Sequence, residues 1–278
     1  MDDVVRRPRG RPRKNPAELD TTKVLALERG LKILELLARE KRVSLTEIAM
    51  QAGMPPSTAR RLLLTLHNYR FADFDEASQG WMIGIEAFRI GSGFLKRIDI
   101  VEASRNIMVG LVSQTGETAN LAIANDGDAV FVSQVESPHP IRACFQPGTR
   151  SEMHASGVGK VLLAYLPHQD VETLLQKKGM EEFTSNTITK PNQLFAELDR
   201  IRDQGWSIDK GERYMGMCCV AAPVFGAKGD ARAAISISGP SSRFTNQTIV
   251  DFSAAIRHAA ADISAAIGGK TSTDELIG

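Results

Sequence analysis

From Thr21 the chain becomes periodic. Val24, Leu27, Leu31, Leu34 and Ala38 recur every three or four residues, which predicts a helix that buries this face. "VSLTEIAMQAG" predicts a second helix. Ser44 is placed as its N-cap, Glu47 completes a capping box, Leu45, Ile48, Ala49 and Ala52 form the inner side, and Gly53 is the stop. After "GMPP", the run "STARRLLLTLHNYRF" predicts a third helix. Ser57 caps it, and Ala59, Leu62, Leu63 and Leu66 line its inner stripe. Ser57, Arg60, Arg61, Thr65 and Asn68 are left on the outward side. A short helix, a glycine turn and a helix with a Ser/Thr/Arg face make a helix-turn-helix reader, because arginine forks to guanine and hydroxyls reach phosphates or base edges. "RFADFDEASQGWMIG" then predicts two short strands forming a wing. Arg70 and Gln79 flank it, and Asp75 and Glu76 at its tip repel phosphate. "GIEAFRIGSGFLKRID" predicts a helical linker with Gly91 and Gly93 as its hinge.

Beyond a helix near residues 99–114 the period changes to two. "ETANLAIAN", the turn "DGD" and "AVFVSQVES" predict a hairpin. "PIRACFQPG", "WSIDKGE", "MCCVAAPVF" and "ARAAISISG" predict further strands, the last two joined by "GAKGD". "ASGVGKVLLAYL", the stretches 170–178 and 192–204, and residues 245–267 predict helices. Clustered antiparallel strands with helices on their faces give an α+β domain. The organisation expected is a basic tail over 1–20, a winged helix-turn-helix domain over 21–84, a linker helix over 85–98 and a second domain over 99–270.

Charge sharpens the first domain. Residues 1–97 carry 18 Lys+Arg against 12 Asp+Glu, and residues 98–278 carry 16 against 21. A basic first third points to a polyanionic partner. Six of the nine residues in "RRPRGRPRK" are basic. Within it, Pro8-Arg9-Gly10-Arg11-Pro12 has the core of an AT-hook, whose arginines, here Arg9 and Arg11, enter a narrow A·T minor groove. A solubilising tail is the plainer alternative. The N-terminus has no apolar segment behind its basic residues, and no run reaches the roughly 20 apolar residues of a membrane span. Three cysteines without framework spacing suit the reducing cytoplasm.

Candidate chemistry narrows by elimination. "HASGVGKV" is not a phosphate loop, since His154 stands at the first glycine position and Val161 follows the lysine. It reads better as a helix start, where Ser156 or nearby N–H groups form a small anion cradle. Adjacent Cys218 and Cys219 point to opposite faces of a strand and cannot easily bind one ion. A metal-binding sensor or an enzyme using Cys219 and His154, with Asp209 as third member, is the alternative to weigh. Ser236 and Ser238 lie two apart and share a strand face. If that face is also the face of Cys219, two hydroxyls and a thiol line a small polar cavity suited to a carboxylate. Plain strand packing of small residues is the competing reading.

The chain resembles the IclR family of bacterial transcription regulators over roughly residues 22–267. The resemblance rests on "ALERGLKILELLA", "SLTEIAMQAGMPPSTARRLLLTL", "WMIGIEAFRIG", "MHASGVGKVLLAYLP" and "CVAAPVFGAKGDARAAISISGPSSRFT" in the family's order. It implies a GAF-like effector-binding second domain, some family members holding a metal at the positions of Cys219 and His154; from the residues themselves no catalytic activity, metal or cofactor is expected. It also implies a homodimer or dimer of dimers on double-stranded DNA with a near-palindromic operator, formed by pairing through helix 1 and the linker. The candidate DNA contacts are Arg9, Arg11, Ser44, Ser57, Thr58, Arg60, Arg61, Thr65 and Arg70. Carried over by position, the effector site comprises Ala155, Ser156, Gly157, Asp209, Met217, Cys219, Ser236 and Ser238. Cys218 is expected in the core. The match to "M-x-C" followed by "AISISGP" is closest to the glyoxylate-responsive, allantoin-type members, which implies a small oxo-acid effector.

Overall fold

The computed structural model describes residues 24–95 and 99–269. The chain divides into two compact units, one ending at Phe94 and the next beginning at Leu95.

The first unit opens with three helices, α1 (Leu25–Arg39), α2 (Leu45–Gln51) and α3 (Pro56–Asn68). A hairpin of β1 (Ala72–Asp75) and β2 (Gly80–Ile83) follows, and then α4 (Ile85–Leu95). Its core gathers Ile33, Leu37, Val43, Ile48, Ala49, Met54, Ala59, Leu63, Ala72 and Trp81. The capping box forms as the sequence predicts. The Ser44 hydroxyl accepts from the Glu47 N–H, and the Glu47 carboxylate accepts from the Ser44 N–H at 2.9 Å. At the other end of α2, Gly53 takes φ +64°, a left-handed conformation that glycine adopts without strain. The Met54 N–H returns to the Ala49 carbonyl at 3.0 Å, closing a Schellman motif. Gly84 turns the chain from the hairpin into α4, and a Cβ there would fall 2.2 Å from the Arg70 carbonyl oxygen.

Three expectations are corrected in this unit. The α1 face that packs inward is Gly30, Ile33 and Leu37. The predicted stripe lies outside it: Val24, Leu27 and Leu31 are 65%, 61% and 51% exposed, Ala38 is exposed and Leu34 half-buried. Two apolar stripes satisfy the helical period, and tertiary partners select between them. Ser57 does not cap α3. The helix begins one residue earlier, at Pro56 after Pro55, because proline at the first helical position has its φ preset and no N–H to satisfy. Finally, α4 runs unbroken through Gly91 and Gly93.

The second unit is built on six antiparallel strands in the order β5-β4-β3-β8-β7-β6. They are β3 (Thr118–Asn125), β4 (Asp128–Val135), β5 (Arg150–Glu152), β6 (Ser207–Asp209), β7 (Met217–Phe225) and β8 (Ala231–Pro240). Asp126 and Gly127, both with positive φ, make the two-residue turn of the β3–β4 hairpin. Helices α5 (Asp99–Thr115) and α9 (Asn246–Ala266) cover one face, where Val220, Ile235, Ile237, Ile256 and Ile263 form the main apolar core. The other face is covered by α6 (Gly157–Ala164), α7 (His168–Lys178) and α8 (Pro191–Gln204). Its core joins Val158, Val161, Leu194, Leu198 and Ile201 to Ala122, Ala221 and Ala234 of the sheet. Burying each such Leu, Ile or Val stabilises the unit by about 1.5–3 kcal/mol.

The predicted strand at 140–148 is absent. That segment is irregular, Pro140 and Pro147 lack ladder donors, and Phe145 instead stacks on Phe131 with centroids 4.7 Å apart. No described helix is long and apolar enough to cross a membrane.

Candidate functional site

In the first unit, α3 buries Ala59 and Leu63 and half-buries Leu62 and Leu66. Ser57, Arg60, Arg61, Thr65 and Asn68 are exposed, and Thr58 is half-buried. Among the described residues neither Arg60 nor Arg61 takes part in an ion pair, so both guanidinium groups are free to meet phosphate or base edges. Thr65 turns its hydroxyl back to the Arg61 carbonyl at 3.0 Å. The Ser44 hydroxyl is occupied by its capping box. Arg70, at φ 59°, lies 3.3 Å from Glu86, yet most of its side chain is exposed. The acid at the wing tip is neutralised locally: Asp75 accepts from the Ser78 hydroxyl and the Ala77 N–H and pairs with Arg42 at 3.1 Å. The Ser78 bond holds the Asp75 carboxyl below its ordinary range. Arg9 and Arg11 lie outside the described residues.

In the second unit, strand register decides which residues meet. Asp209 pairs with Cys219, and Cys219 with Ser238. Ser207 pairs with Ala221, Ala221 with Ser236, and Ser236 with Asn120. Directly opposed residues share a face, so Asp209, Cys219, Ser236 and Ser238 all stand on the side covered by α6. Met217, two before Cys219, has the same parity. Cys218 faces the other way, into the core beneath α5 and α9. Helix α6 comes down on this polar face. The Ser207 hydroxyl donates to the Gly157 carbonyl at 2.7 Å, and a Cβ on Gly157 would come within 3.0 Å of Cys219 Sγ. Gly157 is therefore where backbone meets the thiol.

Two residues from the sequence reading have other duties. Ser156 caps α6 by accepting from the Gly159 N–H at 3.2 Å and donates to the Glu152 carbonyl. Ala155 is wholly buried in the single 3-10 turn that precedes this cap.

One atom of this face stands out. Ser236 is 0% exposed, and among the described residues its hydroxyl meets no partner in hydrogen-bonding geometry, although it lies close enough to the Cys219 thiol to bias it toward the thiolate. A buried, unpaired hydroxyl costs about 1–3 kcal/mol. With Ser238 and Cys219 it sets two hydroxyls and a thiol beside the start of α6, and the Asp209 carboxyl stands on the same face. Sequence reasoning missed Asn120, which donates to Ser238 Oγ at 3.4 Å and is itself held by Gln134 at 2.9 Å. A lone amide in the otherwise apolar "ANLAIA" is the signal it left. It also missed Lys160, a fully buried lysine in the apolar α6. Lys160 Nζ donates to Glu212 at 2.5 Å and to the Ile208 carbonyl at 2.7 Å. That internal pairing is why the "GVGK" lysine is unavailable to a phosphate.

The enzyme and metal alternative finds no support. Burial, aided by the Asp209 carboxylate, pushes the Cys219 thiol up to about 12, and burial pushes Cys218 up to about 11. Both are neutral near pH 7, whereas nucleophiles and ligands need the thiolate. His154 is buried with Nε2 2.9 Å from the Glu181 carbonyl. No group of three His, Cys, Asp or Glu side chains among the described residues is arranged to hold a metal ion.

Comparison with known proteins agrees with both units. Residues 26–76 match the IclR helix-turn-helix domain, and residues 92–265 match the C-terminal domain of bacterial transcriptional regulator IclR. The HTH-type transcriptional regulator BhcR of Paracoccus denitrificans is 43% identical over 93% of this chain and 94% of its own length. The transcriptional repressor IclR of Escherichia coli is 38% identical over 90% of this chain and 92% of its own. The repressor AllR of Escherichia coli is 36% identical over 88% and 91%. Among solved structures, the Thermotoga maritima IclR superposes with a TM-score of 0.76 at 28% identity, covering 88% of this chain and all of that one. These relatives are transcriptional regulators, not enzymes.

Proposed function

Because this chain belongs to the IclR family of ligand-responsive, DNA-binding transcriptional regulators, we propose that its operator binding is controlled by a small oxo-acid, of which glyoxylate is the type. The unpartnered Ser236 hydroxyl carries this reading. It lies on one face with Ser238, Cys219 and Asp209, against Gly157. An effector carboxylate or carbonyl oxygen would accept from Ser236 and Ser238 and from the first N–H groups of α6. The side chains around it are small, so the effector is small. The reader is α3, with Ser57, Thr58, Arg60, Arg61 and Thr65 facing the groove and Arg70 on the flanking backbone. Ser44 contributes by capping and holding α2. Arg9 and Arg11 reach the minor groove. The exposed stripe Val24, Leu27 and Leu31 on α1, and Ile85 and Phe88 on α4, pair two copies. The pair matches a near-palindromic operator, as a dimer or dimer of dimers in the cytoplasm. The effector acts by favouring one quaternary state.

The test is a DNA mobility-shift titration with glyoxylate, comparing wild type with a Ser236→Ala/Ser238→Ala double variant. The wild type is expected to respond and the double variant to lose at least about tenfold in sensitivity, the equivalent of one hydrogen bond to a charged group. Identical responses would sink the assignment of the pocket.

A further inference from the structure

We propose that effector binding is coupled to uptake of a proton by the buried cluster of Lys160, Glu212 and Asp209, so that affinity for an anionic effector falls as pH rises. The proposal rests on the oxo-acid reading above, because it needs a negatively charged ligand on the face of Asp209.

The cluster lies directly behind that face. Lys160 is one turn along α6 from Gly157, about 4.5 Å of helical rise. Its ammonium donates to the Ile208 carbonyl, to Glu212 Oε1 at 2.5 Å and to Glu197 Oε1 at 3.3 Å, which uses all three hydrogens. Glu197, from α8, is also held by Arg200 at 2.5 and 3.0 Å, so its charge is balanced separately. Glu212 and Asp209 then share one ammonium. They are joined to each other, since the Glu212 N–H donates to Asp209 Oδ1 at 2.7 Å. Among the described residues, the other groups nearby bring no second cation inside. Cys218 and Cys219 are neutral thiols. Thr184 and Thr187 turn their hydroxyls to the Gly211 and Glu212 carbonyls. Arg213 pairs with Glu152 and lies over Phe183, and the neighbouring Lys210 is exposed.

With both carboxyls ionised, the cluster would bury one more negative charge than positive. Glu212 Oε2 shows the consequence: it is buried with no hydrogen-bond donor among the described residues, a poor site for a full carboxylate charge. Burial, only partly offset by Lys160 and reinforced by Asp209, raises the Glu212 carboxyl to about 7. Burial also raises Asp209. A ligand carboxylate arriving beside Asp209 adds a further like charge, and like charges at close range force one carboxyl to hold a proton. The bound state therefore takes up a proton that the free state has begun to release near neutrality. Below that range both states are protonated and affinity is flat. Above it, affinity declines by up to about tenfold per pH unit for one linked proton.

The experiment is calorimetry of glyoxylate binding to the full chain. At pH 7.5 it is run in PIPES and in imidazole, whose heats of ionisation differ. The dissociation constant is then measured at pH 6.5 and 8.5. Wild type is expected to show a buffer-dependent heat corresponding to uptake of a fraction of one proton, and an affinity roughly tenfold weaker at pH 8.5. Glu212→Gln is expected to bind with a pH dependence within about twofold. Wild-type binding with equal heats in both buffers and no pH slope would overturn the proposal and leave the effector assignment standing. So would a folded Glu212→Gln variant that keeps the wild-type slope. If the variant does not fold, the two-buffer comparison on wild type decides alone. Absence of any glyoxylate heat at either pH and in either buffer, with operator binding intact, would overturn the effector reading and this proposal with it.

Discussion

A hydroxyl without a partner is a small feature, yet Ser236 offers a way to separate packing from the proposed binding role. A serine that served packing alone would have found an acceptor, as Ser207, Ser253 and Ser264 do. Ser236→Ala removes an unpaired group rather than a bond. The variant is expected to be as stable as wild type, within about 0.5 kcal/mol, or slightly more stable, while losing effector response. Thermal melting alongside the DNA titration checks both halves. A loss of stability above about 1.5 kcal/mol would mean that the hydroxyl has a structural partner. At this scale the sequence was most informative where alternation rules. Strand parity alone split Cys218 from Cys219 and put Cys219, Ser236 and Ser238 on one face if the strands paired in register, which they do. Parity could not show that Asn120, from a strand nearly 120 residues earlier in the chain, completes that face. Nor could it show that Lys160 would be neutralised from a loop 52 residues away. Such long-range pairs leave only a polar residue in an apolar run.

Among the elements, α2 was legible to the residue because its ends are written in local chemistry. Ser44 and Glu47 close the start and Gly53 the end, and neither depends on distant contacts. Ser44→Ala is expected to cost about 1 kcal/mol, lowering the melting temperature of the first unit and weakening DNA binding by misplacing α3. Restoring a cap with Ser44→Asp should recover most of it. No change in melting on Ser44→Ala would contradict the capping role. Helix α1 was legible only as a helix. Its two apolar stripes are equally periodic, and the choice of Ile33 and Leu37 was made by Trp81, Leu63 and the rest of the core. The segment 140–148 failed for a related reason. Its alternation was right for a strand, but two prolines and an aromatic stack outweighed it.

At the scale of the whole molecule, the outer stripe of α1 has the character of a surface awaiting a partner. Exposed Leu27 and Leu31 lie on α1, with Val24 at its N-cap and Leu25 in its first turn also exposed, a cluster of the kind that marks an interaction surface. If this stripe pairs two copies, as proposed above, Leu27→Glu with Leu31→Glu is expected to halve the mass read by light scattering after size exclusion. Operator affinity should fall by at least about 100-fold, since the two half-sites would no longer be bound together. An unchanged mass and affinity would move the pairing surface elsewhere.

The unpaired Ser236 has a last consequence, for how long the protein survives. A ligand that supplies the missing partner stabilises only the folded chain, by about 2.7 kcal/mol at a concentration one hundred times its dissociation constant. Proteolysis in the cell samples the unfolded fraction, which such a ligand would lower about a hundredfold. If the effector proposed above is that ligand, its level would set the copy number of the protein as well as its state, and cells starved of it would clear the protein faster than cells that hold it.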